Sequence, residues 1–292
     1  MTRRPARIGL APLALCLSLL AGCGGGDRAA SGRPLKVALL PDESPATIIR
    51  KNQPLRDHLA SALGRDVELV VTTDYSSMIE AMRRGQIDVG YFGPLSYVLL
   101  KRRMPGATAF AAKLEGGSPT YTAVLIAGAD SGVKAPGDLR GKTVAFGDPA
   151  STSSHLIPKS MLAEAGLKAG EGYKEAFVGA HDAVAVAVQN GNAQGGGLSR
   201  HLFGSLVEQG TIKADRVAVI AESKRYPNYP WVLGPDLDPA LREKIRTAFL
   251  NLKDPAILGP LKADGFGPVE DADYDVIRGL VTVLGIDPET LK

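Results

Sequence analysis

The chain has 292 residues, a formal net charge of +3 and 45% hydrophobic residues. A chain of this length buries enough apolar surface to fold without disulfides. Arg3, Arg4 and Arg7 lie in the first 22 residues, which contain no acidic residue, so the remainder is close to neutral. Because that remainder has no basic stripe with interleaved aromatic residues, the composition argues against nucleic acid as a partner.

The first 22 residues have the order of a secretory signal peptide. Three arginines precede an apolar run from Ile8 to Leu20, and Ala21 and Gly22 stand directly before Cys23. The run is shorter than the roughly 20 apolar residues that a spanning helix needs. This end of the signal also resembles a bacterial lipobox, which implies that Cys23 is acylated and anchors the protein to a membrane.

Cysteine usage fits a lipid anchor. Cys16 lies inside the predicted signal, so Cys23 would be the one cysteine of the mature chain and no disulfide could form within it. An ordinary signal followed by an incidental cysteine is the alternative. Residues 23–33 are rich in glycine and small polar residues, a composition typical of a flexible tether.

Short apolar runs alternate with helical patterns from residue 35 onward, as in α/β layers. Leu35–Leu40 predicts a buried strand, and Ser44 and Pro45 mark the start of a helix that ends at Gly64. No G-x-G-x-x-G follows the first strand, which disfavours a dinucleotide-binding enzyme. The further predicted elements are strands at 67–71, 87–92, 121–127, 142–146, 173–178 and 217–221, and helices at 76–84, 154–165, 182–190, 239–252 and 274–284.

This order of elements predicts an α/β protein with two lobes. The first lobe would comprise residues 34–120 and 222–292, and the second residues 121–221. The chain would cross between the lobes twice, so that the crossings form a hinge beside an interlobe cleft. Such a cleft can close on a ligand.

Four hydroxyl residues, Ser151, Thr152, Ser153 and Ser154, stand between a predicted strand and a predicted helix. Free backbone N–H groups and the positive end of the helix dipole favour an anion at such a helix start. Simple N-capping is the alternative, although a cap requires one hydroxyl and not four. The run therefore indicates a candidate anion site.

Three further residues are candidates for the same cleft. His181 begins a predicted helix and can donate a hydrogen bond to an oxyanion, and Tyr75 and Tyr121 carry phenol donors. A surface histidine beside an Asp182 cap, and tyrosines that only pack, are the ordinary alternatives. The sequence contains no H-E-x-x-H, G-x-S-x-G or Walker motif and no cysteine and histidine cluster, so we expect no catalysis, metal or cofactor.

Taken together, these residues resemble the periplasmic phosphonate-, phosphite- and phosphate-binding proteins that serve ABC transporters. In the first lobe the resemblance covers residues 54–97, with Thr73-Asp74-Tyr75 and the run Gly93–Tyr97. In the second lobe it covers Asp148–Ser153 and the pair His181-Asp182. The resemblance implies a type II periplasmic-binding fold with the ligand held between the lobes.

The resemblance also implies roles. The hydroxyl run would bind the oxyanion oxygens, the histidine would donate to another oxygen, and the tyrosines would close the sides. The protein would then be a periplasmic component that presents a small oxyanion to an ABC transporter permease. The implied ligand-binding residues are Tyr75, Tyr121, Ser151, Thr152, Ser153 and His181.

Relatives that take aminoalkylphosphonates need carboxylates for the ligand's ammonium, because a buried cation without a partner is costly. At the corresponding positions this chain has His201 and the run Pro227–Trp231, in which Tyr229 and Trp231 would wall the pocket. We therefore expect phosphite, phosphate or a small phosphonate. Two alternatives are a sensor adaptor of the same fold, which would signal an oxyanion (arsenic oxyanions included) to a membrane kinase, and an exported phosphoryl-transfer enzyme.

Overall fold

The computed structural model describes residues 32–291. The predicted signal, Cys23 and the tether up to residue 31 lie outside the described residues. The strands are β1 (Leu35–Leu39), β2 (Val67–Val71), β3 (Val89–Tyr91), β4 (Thr108–Lys113), β5 (Thr120–Tyr121), β6 (Ala123–Gly128), β7 (Thr143–Phe146), β8 (Lys174–Phe177), β9 (Gly195–Ser199), β10 (Val217–Glu222), β11 (Tyr226–Pro227), β12 (Pro230–Leu233) and β13 (Phe266–Pro268).

Helices alternate with these strands for most of the chain. Within residues 32–291, no helix is both long and apolar enough to cross a membrane. The α-helices are α1 (Pro45–Leu63), α2 (Tyr75–Arg83), α3 (Pro94–Arg103), α4 (Ile157–Glu164), α5 (His181–Gln189), α6 (Arg200–Glu208), α7 (Pro239–Leu250), α8 (Pro255–Leu261) and α9 (Asp275–Val283).

The first sheet has the strand order β13-β4-β12-β3-β1-β2. Strand β1 runs parallel to β2 and β3, whereas β12 and β13 pair antiparallel with their neighbours. One face packs against α1, α7 and α8 around Phe249, and the other against α2, α3 and α9 around Tyr97. Because both faces of the sheet are buried, the sequences of its central strands are runs of apolar residues.

The second sheet has the strand order β10-β6-β9-β7-β8. Strand β7 is parallel to β8 and β9, and β6 is antiparallel to β9 and β10. Helices α5 and α6 cover one face around Val184, and α4 covers the other around Leu162. The chain passes between the sheets at β5 and β11, which pair with each other through Tyr121 and Tyr226. The predicted lobe boundaries and hinge lie near these crossings and stay a prediction.

The central strand β9 has the sequence Gly-Gly-Gly-Leu-Ser, and the sequence analysis missed it because glycine is poor in strands. The packing explains the glycines. A Cβ on Gly197 would lie 2.1 Å from the ring of Pro158, and one on Gly196 would lie 2.7 Å from Val184. Glycine therefore lets α4 and α5 approach the sheet closely from its two faces.

A bidentate ion pair fixes the beginning of the described chain to the first sheet. The two terminal guanidinium nitrogens of Arg33 donate to the carboxylate of Asp88, at 2.8 and 2.7 Å. The same carboxylate accepts from the backbone N–H of Lys36 in β1 at 2.9 Å. Asp88 is buried, whereas the Arg33 side chain is 58% exposed, so solvent screens the pair from the arginine side.

Candidate functional site

Four helical segments begin at one place between the two sheets. Tyr75, Pro94 and His181 are the first residues of α2, α3 and α5, and the π-helical turn Thr152–Leu156 leads into α4. The first N–H groups of a helix have no partner inside that helix. Their convergence concentrates hydrogen-bond donors and positive dipole ends at this point.

Tyr75, Ser151 and His181 form a buried hydrogen-bonded group at this point, here called the imidazole cluster. The Nε2 atom of His181 lies 2.9 Å from Ser151 Oγ and 3.1 Å from Tyr75 Oη. The backbone N–H of His181 donates to the carbonyl of Asp42, at 2.9 Å. The cluster therefore joins elements of the first sheet to elements of the second.

The imidazole cluster is uncharged at neutral pH. Burial lowers the pKa of His181 to about 3, and burial raises the pKa of Tyr75 well above its ordinary value. A neutral imidazole and two hydroxyls can each act as donor or acceptor. Such a group can exchange its internal hydrogen bonds for bonds to an anion.

The loop before Ser151 is held by its own backbone contacts. Ser151 Oγ accepts from the backbone N–H of Ser154 at 3.1 Å, so this serine is also the N-cap of the turn. The carboxylate of Asp148 accepts from the N–H of Ala150 at 2.7 Å and from that of Tyr75 at 3.2 Å. A Cβ on Gly147 would lie 2.8 Å from Ser154 Oγ, so only glycine fits at that position.

Ser153 and Tyr121 lie on the other side of the same turn, around Tyr229. Ser153 Oγ is 2.7 Å from Tyr229 Oη. The ring of Tyr229 stacks on Tyr91 with centroids 5.6 Å apart and contacts Tyr121 edge-on at 5.3 Å. Tyr229 was expected only to wall the pocket, whereas its hydroxyl bonds directly to a predicted site residue.

Thr152 has a second function that the sequence analysis did not foresee. Its Oγ1 accepts from the backbone N–H of Leu95 in the first turn of α3, at 2.7 Å. The hydroxyl thus bonds one of the free donors of α3 across the gap between the sheets. The pair Gly93 and Pro94 is typical of a helix start and could have indicated that α3 begins with free N–H groups here.

A cavity of about 530 Å³ adjoins the imidazole cluster, and Tyr121 and Tyr229 line it. His201 and Trp231 also line the cavity, as the sequence analysis expected. Burial lowers the pKa of His201 to about 3, so its ring is neutral.

Carboxylates also line this cavity. They belong to Asp42 and Glu43 after β1, to Glu115 after β4 and to Glu208 at the end of α6, none of which is at the positions where the sequence analysis compared carboxylates. Burial, and next the charge of Glu43, raises the pKa of Asp42 to about 7. The positions compared in the sequence analysis carry no carboxylate, but the cavity wall has acids at other positions, and the nature of the ligand's substituent stays a prediction.

Fold and site together define a two-lobed solute-binding protein. A family model for periplasmic substrate-binding proteins of phosphonate ABC transporters matches residues 37–274. The phosphate-import protein PhnD of Mycolicibacterium smegmatis is 31% identical over an alignment 310 residues long. The alignment covers 94% of this chain and 96% of that protein. The phosphonates-binding periplasmic protein of Escherichia coli is 26% identical over 81% of this chain and 71% of its own.

Solved structures show the same fold. The methylphosphonate complex of PhnD1 from Prochlorococcus marinus superposes with a TM-score of 0.80 over 86% of this chain and 98% of that one, at 22% identity. The type II periplasmic-binding fold is thus confirmed. The chain belongs to the phosphonate-binding family of periplasmic ABC transporter substrate-binding proteins.

Proposed function

We propose that the protein binds phosphite, phosphate or a small phosphonate at the imidazole cluster and presents it to an ABC permease. The observation that carries this proposal is the convergence of four helix starts on Tyr75, Ser151 and His181. An anion favours such a point because the dipole ends and free N–H groups both attract negative charge. The family match supports the role in import.

The bound oxyanion would replace hydrogen bonds that the cluster now makes within itself. Ser151 and Tyr75 would turn their hydroxyl hydrogens toward the anion, and His181 would donate through a ring N–H. Among the described residues, no lysine or arginine hydrogen-bonds to these three side chains. Neutral donors of this kind bind an anion without a counter-charge that would slow its release.

The remaining predicted residues complete the proposed site. Ser153 would bind the oxyanion together with Tyr229, and Tyr121 would close the side next to the cavity. Thr152 would donate its hydroxyl hydrogen while it accepts from Leu95. Closure about the crossings at β5 and β11 would bring the two sheets together around the ligand.

A sensor adaptor would use the same site chemistry and would differ in its membrane partner. The matching family model describes ABC transporter proteins and the Mycolicibacterium smegmatis relative is named a phosphate-import protein, which favours import over signalling. In a cell that expresses the chain, deletion of the ABC permease that it serves should abolish uptake of the anion. Uptake that persists, together with ligand-dependent activation of a kinase, would support the adaptor.

Isothermal calorimetry on the full chain in detergent tests the ligand class. We expect tight binding of at least one of phosphate, phosphite and methylphosphonate, and much weaker binding of sulfate. A shift in unfolding temperature with the same anion should accompany it, since a ligand at about 100 times its Kd stabilises by about 2.7 kcal/mol. If none of the phosphorus compounds binds, the proposed function is wrong.

We also propose that Cys23 carries a lipid that holds the protein to a membrane on the periplasmic side. The Cys23→Ser variant should then move from the membrane fraction to the soluble fraction. Cys16→Ser is the matched control, because Cys16 lies within the segment that would be removed, and it should stay with the membrane. Equal fractionation of both variants with wild type would contradict the anchor.

A further inference from the structure

The cavity beside the imidazole cluster is larger than an inorganic oxyanion requires. At ~30 Å³ per water, its volume of about 530 Å³ holds roughly 15 water molecules. Tyr229 connects the two regions, since its hydroxyl bonds Ser153 and its ring lines the cavity. A group attached to an anion at the cluster would extend into this space.

Two ionisable side chains in the cavity wall, Asp42 and Lys113, make no hydrogen bond to another described residue, although their charges attract each other. Among the described residues, neither the carboxylate of Asp42 nor the ammonium of Lys113 makes a side-chain hydrogen bond or a salt bridge, although Lys113 lies 5.7 Å from the ring centroid of Tyr91. The other acids of the wall have partners: Glu43 pairs with Lys51 at 2.6 Å, Glu115 accepts from the Asn228 amide at 3.2 Å, and Glu208 pairs with Lys262.

Two buried donors in the same wall are also without partners. In the part of the chain that the structure describes, Tyr121 Oη and Trp231 Nε1 make no hydrogen bond, and each residue is only 2% exposed. The indole N–H can only donate. A buried donor without an acceptor costs free energy, so this wall is complementary to a ligand that brings acceptors.

We propose that the cavity binds the substituent of an organophosphonate, and that this substituent carries both an ammonium and a carboxylate group. The ammonium would bind Asp42, and the carboxylate would bind Lys113, Tyr121 and Trp231. The inference rests on the proposed function, because the phosphonate group would occupy the imidazole cluster. An apolar substituent would bury Asp42 and Lys113 without partners, which is costly.

A set of four phosphonates separates the two charges of the substituent. Methylphosphonate carries neither, 2-aminoethylphosphonate carries the ammonium, phosphonoacetate the carboxylate, and 2-amino-3-phosphonopropionate both. By calorimetry on the full chain in detergent, we expect the last compound to bind at least about tenfold more tightly than methylphosphonate, as one charged hydrogen bond allows. Each compound with a single charge should fall between them.

Two variants of similar size test the assigned contacts. Asp42→Asn should weaken binding of the two aminated compounds about tenfold more than that of methylphosphonate. Lys113→Met should do the same for the two carboxylated compounds. This crossed pattern would not arise if Asp42 and Lys113 only neutralised each other, because either change would then affect all four ligands alike.

The outcomes keep the two proposals apart. Tight binding of methylphosphonate with no gain for the doubly charged compound would overturn this inference and leave the oxyanion site intact. Equal effects of both variants on all four ligands would also overturn it. If none of the four binds, the oxyanion site itself is wrong, and the substituent site falls with it.

Discussion

The imidazole cluster and the adjoining cavity bury polar groups in different ways. In the cluster, Tyr75, Ser151 and His181 are neutral and hydrogen-bond to one another through His181 Nε2, while His181 Nδ1 has no partner among the described residues. In the cavity, Asp42 and Lys113 are ionisable and have no hydrogen-bonding partner. Within residues 32–291, each region has buried polar atoms without partners, and a ligand can supply those partners in both, but only the cavity wall adds carboxylate and ammonium groups. We therefore expect the cluster to provide affinity for the anion and the cavity to provide specificity.

Removal of a cluster hydroxyl should give the largest effect on binding. Ser151→Ala deletes a donor to the anion and should weaken binding of every phosphorus oxyanion by about 1 to 3 kcal/mol, and His181→Ala should do the same. Calorimetry checks this at a temperature where both variants are folded. Ser131→Ala is the control, since that hydroxyl bonds only local backbone. Unchanged affinity in both cluster variants would place the site elsewhere.

Acid should destabilise the histidine side of the cleft. His155 lies in the π-helical turn Thr152–Leu156 and is 2% exposed, and burial lowers its pKa from 6.5 to about 4. Below pH 6.5 the unfolded chain takes up the proton first, so stability falls as the pH drops. Between pH 7 and pH 5 the wild type should lose on the order of 2 kcal/mol more than His155→Gln. Denaturant unfolding at both pH values measures this loss of stability. Equal losses in wild type and His155→Gln would mean that the ring is accessible to protons in the folded state.

The cavity should show the opposite dependence on pH. Because the folded pKa of Asp42 is raised from 3.8 to about 7, the folded state holds more protons than the unfolded chain across this window. Stability is therefore greatest at low pH and falls as the pH rises to 7. Glu43 strengthens this effect, and Lys113 and Lys51 weaken it.

Relative to wild type, Asp42→Asn should gain about 1 to 2 kcal/mol of unfolding free energy between pH 5 and pH 8. Unfolding in urea at both pH values measures the gain. Asp130→Asn is the control, since its carboxylate is 85% exposed, and it should show no such gain. A gain of the same size in the control would assign the effect to net charge and not to the cavity.

The smallest effect should come from the tyrosine between the two regions. Tyr229→Phe keeps the ring against Tyr91 and Tyr121 and loses only the bond to Ser153, so oxyanion affinity should fall about 2- to 10-fold. Tyr173→Phe removes a hydroxyl that has no partner in residues 32–291 and should leave affinity unchanged. If Tyr229→Phe lost more than about 100-fold in affinity, Tyr229 would have to be counted as part of the imidazole cluster itself.

The cluster was predictable because its signals are local in sequence. Ser151 caps the turn before α4 and His181 is the first residue of α5, and the resemblance implied that they share a site. The cavity was not predictable in this way. Asp42 follows β1 and Lys113 ends β4, and these strands are separated in the sheet by β3 and β12. Only the strand order brings their side chains to one wall.

The elements that were missed have the same cause. A glycine-rich run reads as a loop until the packing shows that Pro158 and Val184 leave no space for side chains on β9. The sequence predicts Thr152 only as a ligand residue, because the bond from the Leu95 N–H to its hydroxyl depends on the position of α3. In each case a partner distant in sequence determined the outcome.

The Arg33–Asp88 pair also determines how the protein responds to mechanical tension. A pull on the chain from its N-terminal side enters the fold at Arg33 and passes through Asp88 into the β1 and β3 region of the first sheet. Strands β1, β2 and β3 run parallel there, so the load would be shared by neighbouring strands and not concentrated on one. The second sheet is connected to this path by the backbone hydrogen bond from the His181 N–H to the Asp42 carbonyl, a few residues after β1. The parallel strands would therefore resist a pull from the N-terminal side first, and only a load that displaces the segment around Asp42 would reach the helix start of α5.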